Sequence, residues 1–189
     1  LLHTHGKLPA KRLVLAGLGK PHQLSLEKIR QAMGYAVKRV LQSKAGSFTV
    51  TLPSAIPHGA SLSDLSQTLT EGAILGSYQF TSYRSEKPTG KDVTAMTILV
   101  SQKSPLNSVS EGIRRGIATA EATVFVRDLC NHPSNVMTPT KIASEAKAVA
   151  ADIQNTRFMH CSRPAPEMPE SAEGRLSPSP KLLATGRFE

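Results

Sequence analysis

The chain has 189 residues, and 23 Lys and Arg against 14 Asp and Glu give it a formal net charge of +9. This length suits one domain of about 100–200 residues, with or without an additional segment. Trp is absent and aromatic residues make up 4% of the chain, so a core must be built from aliphatic side chains. No apolar run approaches the roughly 18–20 residues that cross a bilayer, which excludes a transmembrane protein. Two cysteines are too few for a disulfide scaffold and fit a reducing, cytoplasmic environment.

The positive charge is spread along the chain. Basic residues stand singly or in pairs, such as Lys11-Arg12 and Arg114-Arg115, and never form a long block. This distribution favours a solvated surface, while contact with nucleic acid or another anionic partner stays open as a second interpretation. The first residue is not Met, which is compatible with a fragment of a longer product.

The first predicted elements are a buried strand and an amphipathic helix. Residues 11–18 (KRLVLAGL) form an apolar run that ends in a glycine turn, as buried strands commonly do. Over residues 25–44, apolar side chains recur every three or four positions, which predicts one face of a helix. Ser25 is the expected N-cap, and Gly46 lies just past the expected end.

A strand and a second helix follow. Residues 47–52 (SFTVTL) alternate between apolar and polar side chains and predict a strand. The next helix is expected from Ser61 or Ser63 to about Tyr83, and Ser61 with Asp64 has the spacing of a capping box. The expected buried side of this helix carries Leu65, Leu69, Ala73, Leu75 and Gly76.

The second half of the chain continues the alternation. Residues 87–90 (KPTG) have turn chemistry, and residues 93–100 form a near-continuous apolar strand. A long helix is predicted over residues 107–129 with its basic pair facing outward, a proline-punctuated loop over 131–139, and an Ala-rich helix over 140–153. The apolar residues of the long helix are Val109, Ile113, Ile117, Ala120, Val124 and Phe125.

The order of these elements predicts the fold class. Strands that alternate with helices indicate an α/β fold, here a layered βαβ domain with a mostly parallel sheet. Residues 157–189 behave differently, because they contain five prolines and no sustained period. We expect this tail to be disordered, since it offers too little apolar surface to offset chain entropy.

Three small clusters have residue types that can carry chemistry. Gly17-Leu18-Gly19 stands between a predicted strand and helix, where a glycine turn can cradle phosphate, but position 22 of the dinucleotide pattern is His22 instead of Gly. A tight structural turn is therefore favoured. His3 and His5 could hold a metal, yet no third ligand stands nearby, so solvated imidazoles are favoured. His160 and Cys161 are adjacent and not spaced for chelation.

Nucleophilic and acid–base centres are equally hard to assign. Cys130 stands two positions before His132, but neighbouring residues at a helix end point apart, so we expect a packed structural cysteine. No G-x-S-x-G elbow occurs among the serines. The carboxylates most easily placed on helices are expected on solvated faces; they are Glu71, Glu111, Glu121 and Glu145.

The loop at residues 131–139 is the most distinctive segment. It reads Asn-His-Pro-Ser-Asn-Val-Met-Thr-Pro and directly follows Arg-Asp-Leu at residues 127–129. This N-x-P-x-N-x-x-T-P stretch resembles the junction loop of the leucyl aminopeptidase (cytosol aminopeptidase) family. In that family the loop links an N-terminal α/β domain, related in fold to macro domains, to a C-terminal metallopeptidase domain. Residues 11–19 resemble the strand and turn of the N-terminal domain, so the resemblance covers about residues 1–154.

The resemblance implies a peptidase of which this chain has one part. The intact family removes N-terminal residues, preferably Leu, from peptides, with two divalent metals (Mn or Zn) that activate water. It also implies a homo-oligomer, a hexamer in the family, and some members bind DNA. The metal-binding signatures do not occur complete in this sequence. We therefore expect no catalytic, metal-binding or cofactor-binding residues in this chain, no bound metal and no activity.

One fragment of a signature does occur in the tail. Residues 171–176 (SAEGRL) reproduce the Ala-Glu-Gly-Arg-Leu end of the family's metal motif, in which Glu173 matches a metal ligand and Arg175 the catalytic arginine. The aspartate ligand before it is missing, and Pro178 and Pro180 follow where the family continues into a helix. One carboxylate cannot hold two bridged metals, so coincidence or a displaced remnant is the favoured interpretation.

Four regions are predicted from this reading. Residues 1–105 form a partial N-terminal macro-like domain, 106–135 a linker helix with the junction loop, 136–156 the start of a peptidase domain, and 157–189 the Pro-rich tail. The alternative is a non-catalytic module that binds nucleic acid or a phosphorylated ligand, or that acts as an assembly partner. Neither interpretation places the protein at a membrane.

Overall fold

A computed structural model describes residues 1–53, 56–85, 93–100 and 106–152. Its strands are β1 (Leu2–His3), β2 (Arg12–Leu13), β3 (Ser47–Thr51) and β4 (Ala95–Leu99). Its α-helices are α1 (Leu26–Gln42), α2 (Leu62–Ser77), α3 (Leu106–Asn131) and α4 (Pro139–Asp152). Residues Leu1–Ile142 form one compact unit, and a second begins at Ala143. The predictions for residues 87–90 and 157–189, including His160, Cys161, Glu173 and Arg175, lie outside the described residues.

The parallel sheet confirms the α/β prediction. β3 and β4 pair in parallel from Ser47 opposite Ala95 to Thr51 opposite Leu99, and α2 connects them as the crossover of a βαβ unit. Alternate side chains of both strands point towards the helices, because successive residues of a strand face opposite sides of a sheet. The side chains that pack on the helical core are Phe48, Val50, Met96 and Ile98.

Helix α1 forms where its period and cap predict it. The Ser25 hydroxyl accepts a hydrogen bond from the Lys28 amide, which satisfies one of the free N–H groups of the first turn. The helix ends at Gln42, and the left-handed conformation just beyond it belongs to Lys44 (φ 56°) and not to Gly46. The buried face is the predicted apolar one, with Ile29, Met33, Val37 and Val40.

Helix α2 begins as predicted but ends earlier. Ser61 and Asp64 form both hydrogen bonds of the capping box, so the predicted start is confirmed. The helix ends at Ser77, six residues before the predicted end at Tyr83, because Tyr78 takes an extended conformation (ψ 131°). Its side chain then bonds to α3, and this tertiary contact replaces the last predicted turns.

Helix α2 contacts α1 and α3 at glycine residues, and the buried face of α3 is not the predicted one. The buried positions of α3 are Val109, Gly112, Gly116 and Ala120, while the predicted apolar residue Ile117 is 38% exposed. A Cβ added to Gly116 would lie 2.7 Å from the Gln67 carbonyl oxygen of α2. The two backbones therefore approach so closely that only glycine fits, and the smallest side chains form the contact.

The basic pair of α3 faces outward only in part. Arg114 lies against Glu111 with 75% of its side chain exposed, as predicted. Arg115 instead reaches the start of α2, where it donates to the Ser63 hydroxyl at 2.7 Å and lies 3.4 Å from the Asp64 carboxylate. This contact adds a charged link between the two helices at their close approach.

The predicted buried strand at residues 11–18 is wrong. Only Arg12 and Leu13 are in a strand, paired antiparallel with β1, and Leu15 is 71% exposed. Residues 14–20 have no regular structure. A strand requires a neighbour to pair with, and β3 pairs with β4 alone in the described part of the chain. The chain then turns at Gly19 (φ 80°) into a short 3₁₀ turn at Pro21–Gln23.

The junction loop and the last helix agree with the prediction. Residues 132–138 are a loop between α3 and α4, and the Thr138 hydroxyl accepts a hydrogen bond from the Lys141 amide at the start of α4. Pro139 is the first residue of α4, where a missing N–H costs nothing. None of the helices among the described residues is both long and apolar enough to cross a membrane.

Candidate functional site

The end of α3 is held by the segment that follows α2. The Tyr78 hydroxyl donates a hydrogen bond to the Asp128 carboxylate at 2.6 Å and accepts one from the Asn131 side-chain amide at 2.9 Å. The Arg127 guanidinium lies over the Tyr78 ring, 5.7 Å from its centroid. Asp128 and Asn131 are three positions apart on a helix, so both reach the same hydroxyl.

A second set of contacts holds the first residue after the helix. The Tyr83 hydroxyl lies 2.7 Å from His132 Nδ1, and the Phe80 and His132 rings meet edge-to-face with centroids 5.2 Å apart. Tyr83 and His132 also meet at 5.7 Å. Aromatic pairs of this geometry add roughly 0.5–1.5 kcal/mol beyond area burial. We call the combined group the junction clasp; its members are Tyr78, Phe80, Tyr83, Asp128, Asn131 and His132.

The electrostatics of the junction clasp favour a neutral tyrosine. Burial of the Tyr78 hydroxyl, together with its hydrogen bond to Asp128, raises its pKa above the usual value of 10.0. A neutral phenol donates to a carboxylate, whereas a phenolate beside Asp128 would place two like charges together. At neutral pH the Tyr78 hydroxyl therefore stays a donor to Asp128, and its role in the clasp is to position the end of α3.

Sequence reasoning missed the junction clasp. Tyr78, Phe80 and Tyr83 are three of only eight Phe and Tyr residues in the chain, and they stand within six positions. Such a concentration in an aromatic-poor chain was the available signal. The partner positions, 50 residues along the chain, could not be read from local pattern.

The structure gives mixed outcomes for the predicted clusters. His3 and His5 are exposed, with ring centroids 6.3 Å apart, and the Thr4 side chain between them is buried. Gly17 and Gly19 lie in the irregular segment before the 3₁₀ turn, and His22 is exposed within that turn. In the described part of the chain, no group of three or more His, Cys, Asp or Glu is placed to hold a metal ion. These residues do not fit the two-metal centre that the resemblance implies for the intact family.

Two predicted side-chain environments are wrong. Cys130 is an exposed free thiol on α3 and is not packed. Glu71 is not solvated: it is 4% exposed, and its carboxylate accepts from Arg30 and Gln67, each at 2.8 Å. Arg30 also bonds Glu27, so the buried carboxylate is compensated by a shared cation. Glu111 and Glu121 are exposed as predicted, and Glu145 is half-buried.

Comparison with known proteins identifies the family. Residues 1–87 match the model of the cytosol aminopeptidase family, N-terminal domain. The chain belongs to the cytosol aminopeptidase family. It is 40% identical over 157 residues to a probable cytosol aminopeptidase of Geobacter sp. (strain M21), a match that covers 80% of this chain and 30% of the relative. It is 35% identical over 163 residues to a probable cytosol aminopeptidase of Roseiflexus castenholzii, a match that covers 82% of this chain and 32% of the relative.

Two solved structures are similar to this chain. The bottromycin maturation enzyme BotP in complex with Mn superposes with a TM-score of 0.59 at 26% identity, over 72% of this chain and 27% of that chain. A mutant of tomato leucine aminopeptidase superposes with a TM-score of 0.56 at 25% identity, over 67% of this chain and 25% of that chain. The chain thus spans about a third of the length of the curated relatives it matches. The α/β fold and the family resemblance are both confirmed.

Proposed function

We propose that this chain is a non-catalytic positioning region of a cytosol-aminopeptidase-like protein. In this proposal the three-helix core and parallel sheet form a rigid platform, and the junction clasp fixes the direction in which the chain leaves α3. The single observation that carries the proposal is the match of residues 1–87 to an N-terminal domain, in a chain that spans about a third of its relatives.

The junction clasp supports a positioning role. It contributes hydrogen bonds of 2.6, 2.7 and 2.9 Å, all at the last turn of a 26-residue helix or the residue just after it. A helix is stiff along its length, so fixing its final turn fixes the start of the following loop. In the proposed division, residues 1–105 are the N-terminal domain, 106–135 the linker and junction, 136–156 the start of the peptidase domain, and 157–189 a tail.

The chemistry of the whole protein extends the proposal. We infer that the full-length protein releases N-terminal residues, Leu among them, from peptides in the cytoplasm as a homo-oligomer. Bound divalent metals, Mn or Zn, would supply water activation and carbonyl polarisation there. Support comes from the relatives, which are probable cytosol aminopeptidases, and from BotP, whose structure is a Mn complex. The described residues contribute no ligand set for such metals.

Hydrolysis of leucine p-nitroanilide by the purified chain tests the proposal. We expect no turnover above background with added Mn²⁺ or Zn²⁺, and no change when a chelator is added. A Glu173→Ala, Arg175→Ala double variant serves as the matched control, because these two residues carry the signature fragment. Turnover that needs metal and disappears in the double variant would overturn the proposal and assign an active site to the tail.

A further inference from the structure

A groove runs between the irregular segment after β2 and the outer face of α1. It has a volume of about 450 Å³, within the range of roughly 300–1,000 Å³ that suits a bound molecule. One wall is the irregular segment of residues 14–17, and the other is the exposed side of α1. The side chains that α1 contributes are Ala32, Tyr35, Ala36, Lys38, Arg39 and Gln42.

The first wall offers unpaired main chain. Four consecutive residues, 14–17, line the groove, so the groove follows the chain along this irregular segment. Residues 14–19 make no backbone hydrogen bond to any other described residue. Such a segment has the free donors and acceptors to which an added strand can pair. Leu15, which is 71% exposed, adds apolar surface beside them.

The second wall combines an aromatic ring with two cations. Tyr35 is 70% exposed, and the Lys38 ammonium lies 5.9 Å from its ring centroid. The Arg39 guanidinium donates to the Gln42 side chain at 3.0 Å. Neither cation has a carboxylate partner among the described residues. Glu27, the acidic residue of α1, is already bound to Arg30 and Gln31.

We propose that this groove binds an extended acidic peptide segment of a partner protein. Its main chain pairs with residues 14–17, and its carboxylates meet Lys38 and Arg39. Because side chains of an extended peptide alternate, acidic residues directed at the α1 wall leave apolar residues on the opposite side, away from Lys38 and Arg39. Nucleic acid fits less well: two cations neutralise two phosphates, whereas duplex-binding proteins commonly make about 6–10 such contacts.

Binding of a synthetic octapeptide of alternating Glu and Val to the full chain tests this proposal. We expect a Kd below about 1 mM, measured by fluorescence anisotropy in low salt. Lys38→Glu with Arg39→Glu should weaken binding about tenfold or more, because repulsion replaces two attractive contacts. Lys28→Glu is the control: it makes one such charge reversal on α1 outside the groove and should leave Kd unchanged, whereas either single reversal at Lys38 or Arg39 should weaken binding. Circular dichroism of each variant checks that α1 remains folded.

Two further probes separate the parts of the proposal. The same peptide with N-methylated backbone amides keeps its charge but cannot donate to residues 14–17, and it should bind at least about tenfold more weakly. A Lys–Val octapeptide should not bind. Equal affinity for the N-methylated peptide, or no effect of the double charge reversal, would overturn the proposal. It would also be overturned if oligothymidylate bound more tightly with a log–log salt slope steeper than about −3, since two phosphate contacts give only about −1.4.

Discussion

Replacing Gly72 with Ala tests the close packing of α1 on α2. A Cβ at position 72 would lie 2.6 Å from the Arg30 carbonyl oxygen and 2.8 Å from the Met33 Cβ, against 3.4–4 Å for ordinary contact. A backbone carbonyl cannot rotate away, so the helices must separate. Overpacking costs about 1–3 kcal/mol or more, and better helix propensity returns about 1 kcal/mol. We expect a net loss of about 1–2 kcal/mol.

Gly34→Ala is the matched control on the facing helix. Its added Cβ would meet the Gly72 carbonyl oxygen at 3.6 Å and the Gly76 Cα at 3.9 Å, which are ordinary contacts. This variant should therefore be neutral or gain up to about 1 kcal/mol from helix propensity. Urea unfolding followed by circular dichroism measures both. If Gly72→Ala is as stable as Gly34→Ala, the close approach of the two backbones is refuted.

Three other perturbations have defined outcomes in the same unfolding assay. Ser61→Ala should lower the free energy of unfolding by about 1 kcal/mol, because the helix loses its cap. Hydrogen bonds from Ser61 also lower the pKa of Asp64 below 3.8. The contribution of this carboxylate to stability is therefore complete above pH 3.8 and is lost as the pH falls through the lowered pKa. Tyr78→Phe should lower the urea midpoint of unfolding, because Asp128 and Asn131 lose their hydrogen-bond partner. In the parent, the contribution of the raised tyrosine pKa should disappear as the pH rises through that pKa, above 10.0, and the variant should not show this loss. Arg30→Ala should lower the free energy of unfolding by about 2 kcal/mol, less than for a fully buried pair, because a third of the Arg30 side chain is exposed. Adding Glu71→Gln should recover part of this loss, because it removes the buried charge that Arg30 compensates. If stability does not recover, the loss does not come from an uncompensated charge on Glu71.

Local signals located most helices and both strands of the parallel sheet. Ser25 and Ser61 cap helices where the sequence places them, because the cap and its target amide are only three residues apart. The alternation at residues 47–52 became β3 for the same local reason. Errors arose where the outcome depended on a distant neighbour. The apolar run at 11–18 reads as a strand, but most of it has no pairing partner among the described residues.

The candidate site shows the same division. The sequence marked residues 131–139 as a junction, and the structure has a loop at 132–138 with Thr138 capping α4. No sequence pattern indicated that α2 ends before Tyr78 or that the Tyr78 hydroxyl bonds to Asp128, 50 residues away. The environment of Glu71 was also predicted wrongly. A helical glutamate is most often solvated, and only the ion pair with Arg30 makes its burial favourable.

By itself, the sequence determined the α/β class, the caps and the family, because these depend on period, short-range hydrogen bonding and a contiguous motif. Only the tertiary structure decided which face of α3 is buried and where α2 ends. At Gly112 and Gly116 the contact with α2 is made mainly by backbone atoms. A sequence pattern reports the hydrophobicity of side chains, and glycine has no side chain to report. Close approach of two main chains depends on the shape of both helices together, and no local stretch of either helix contains that information.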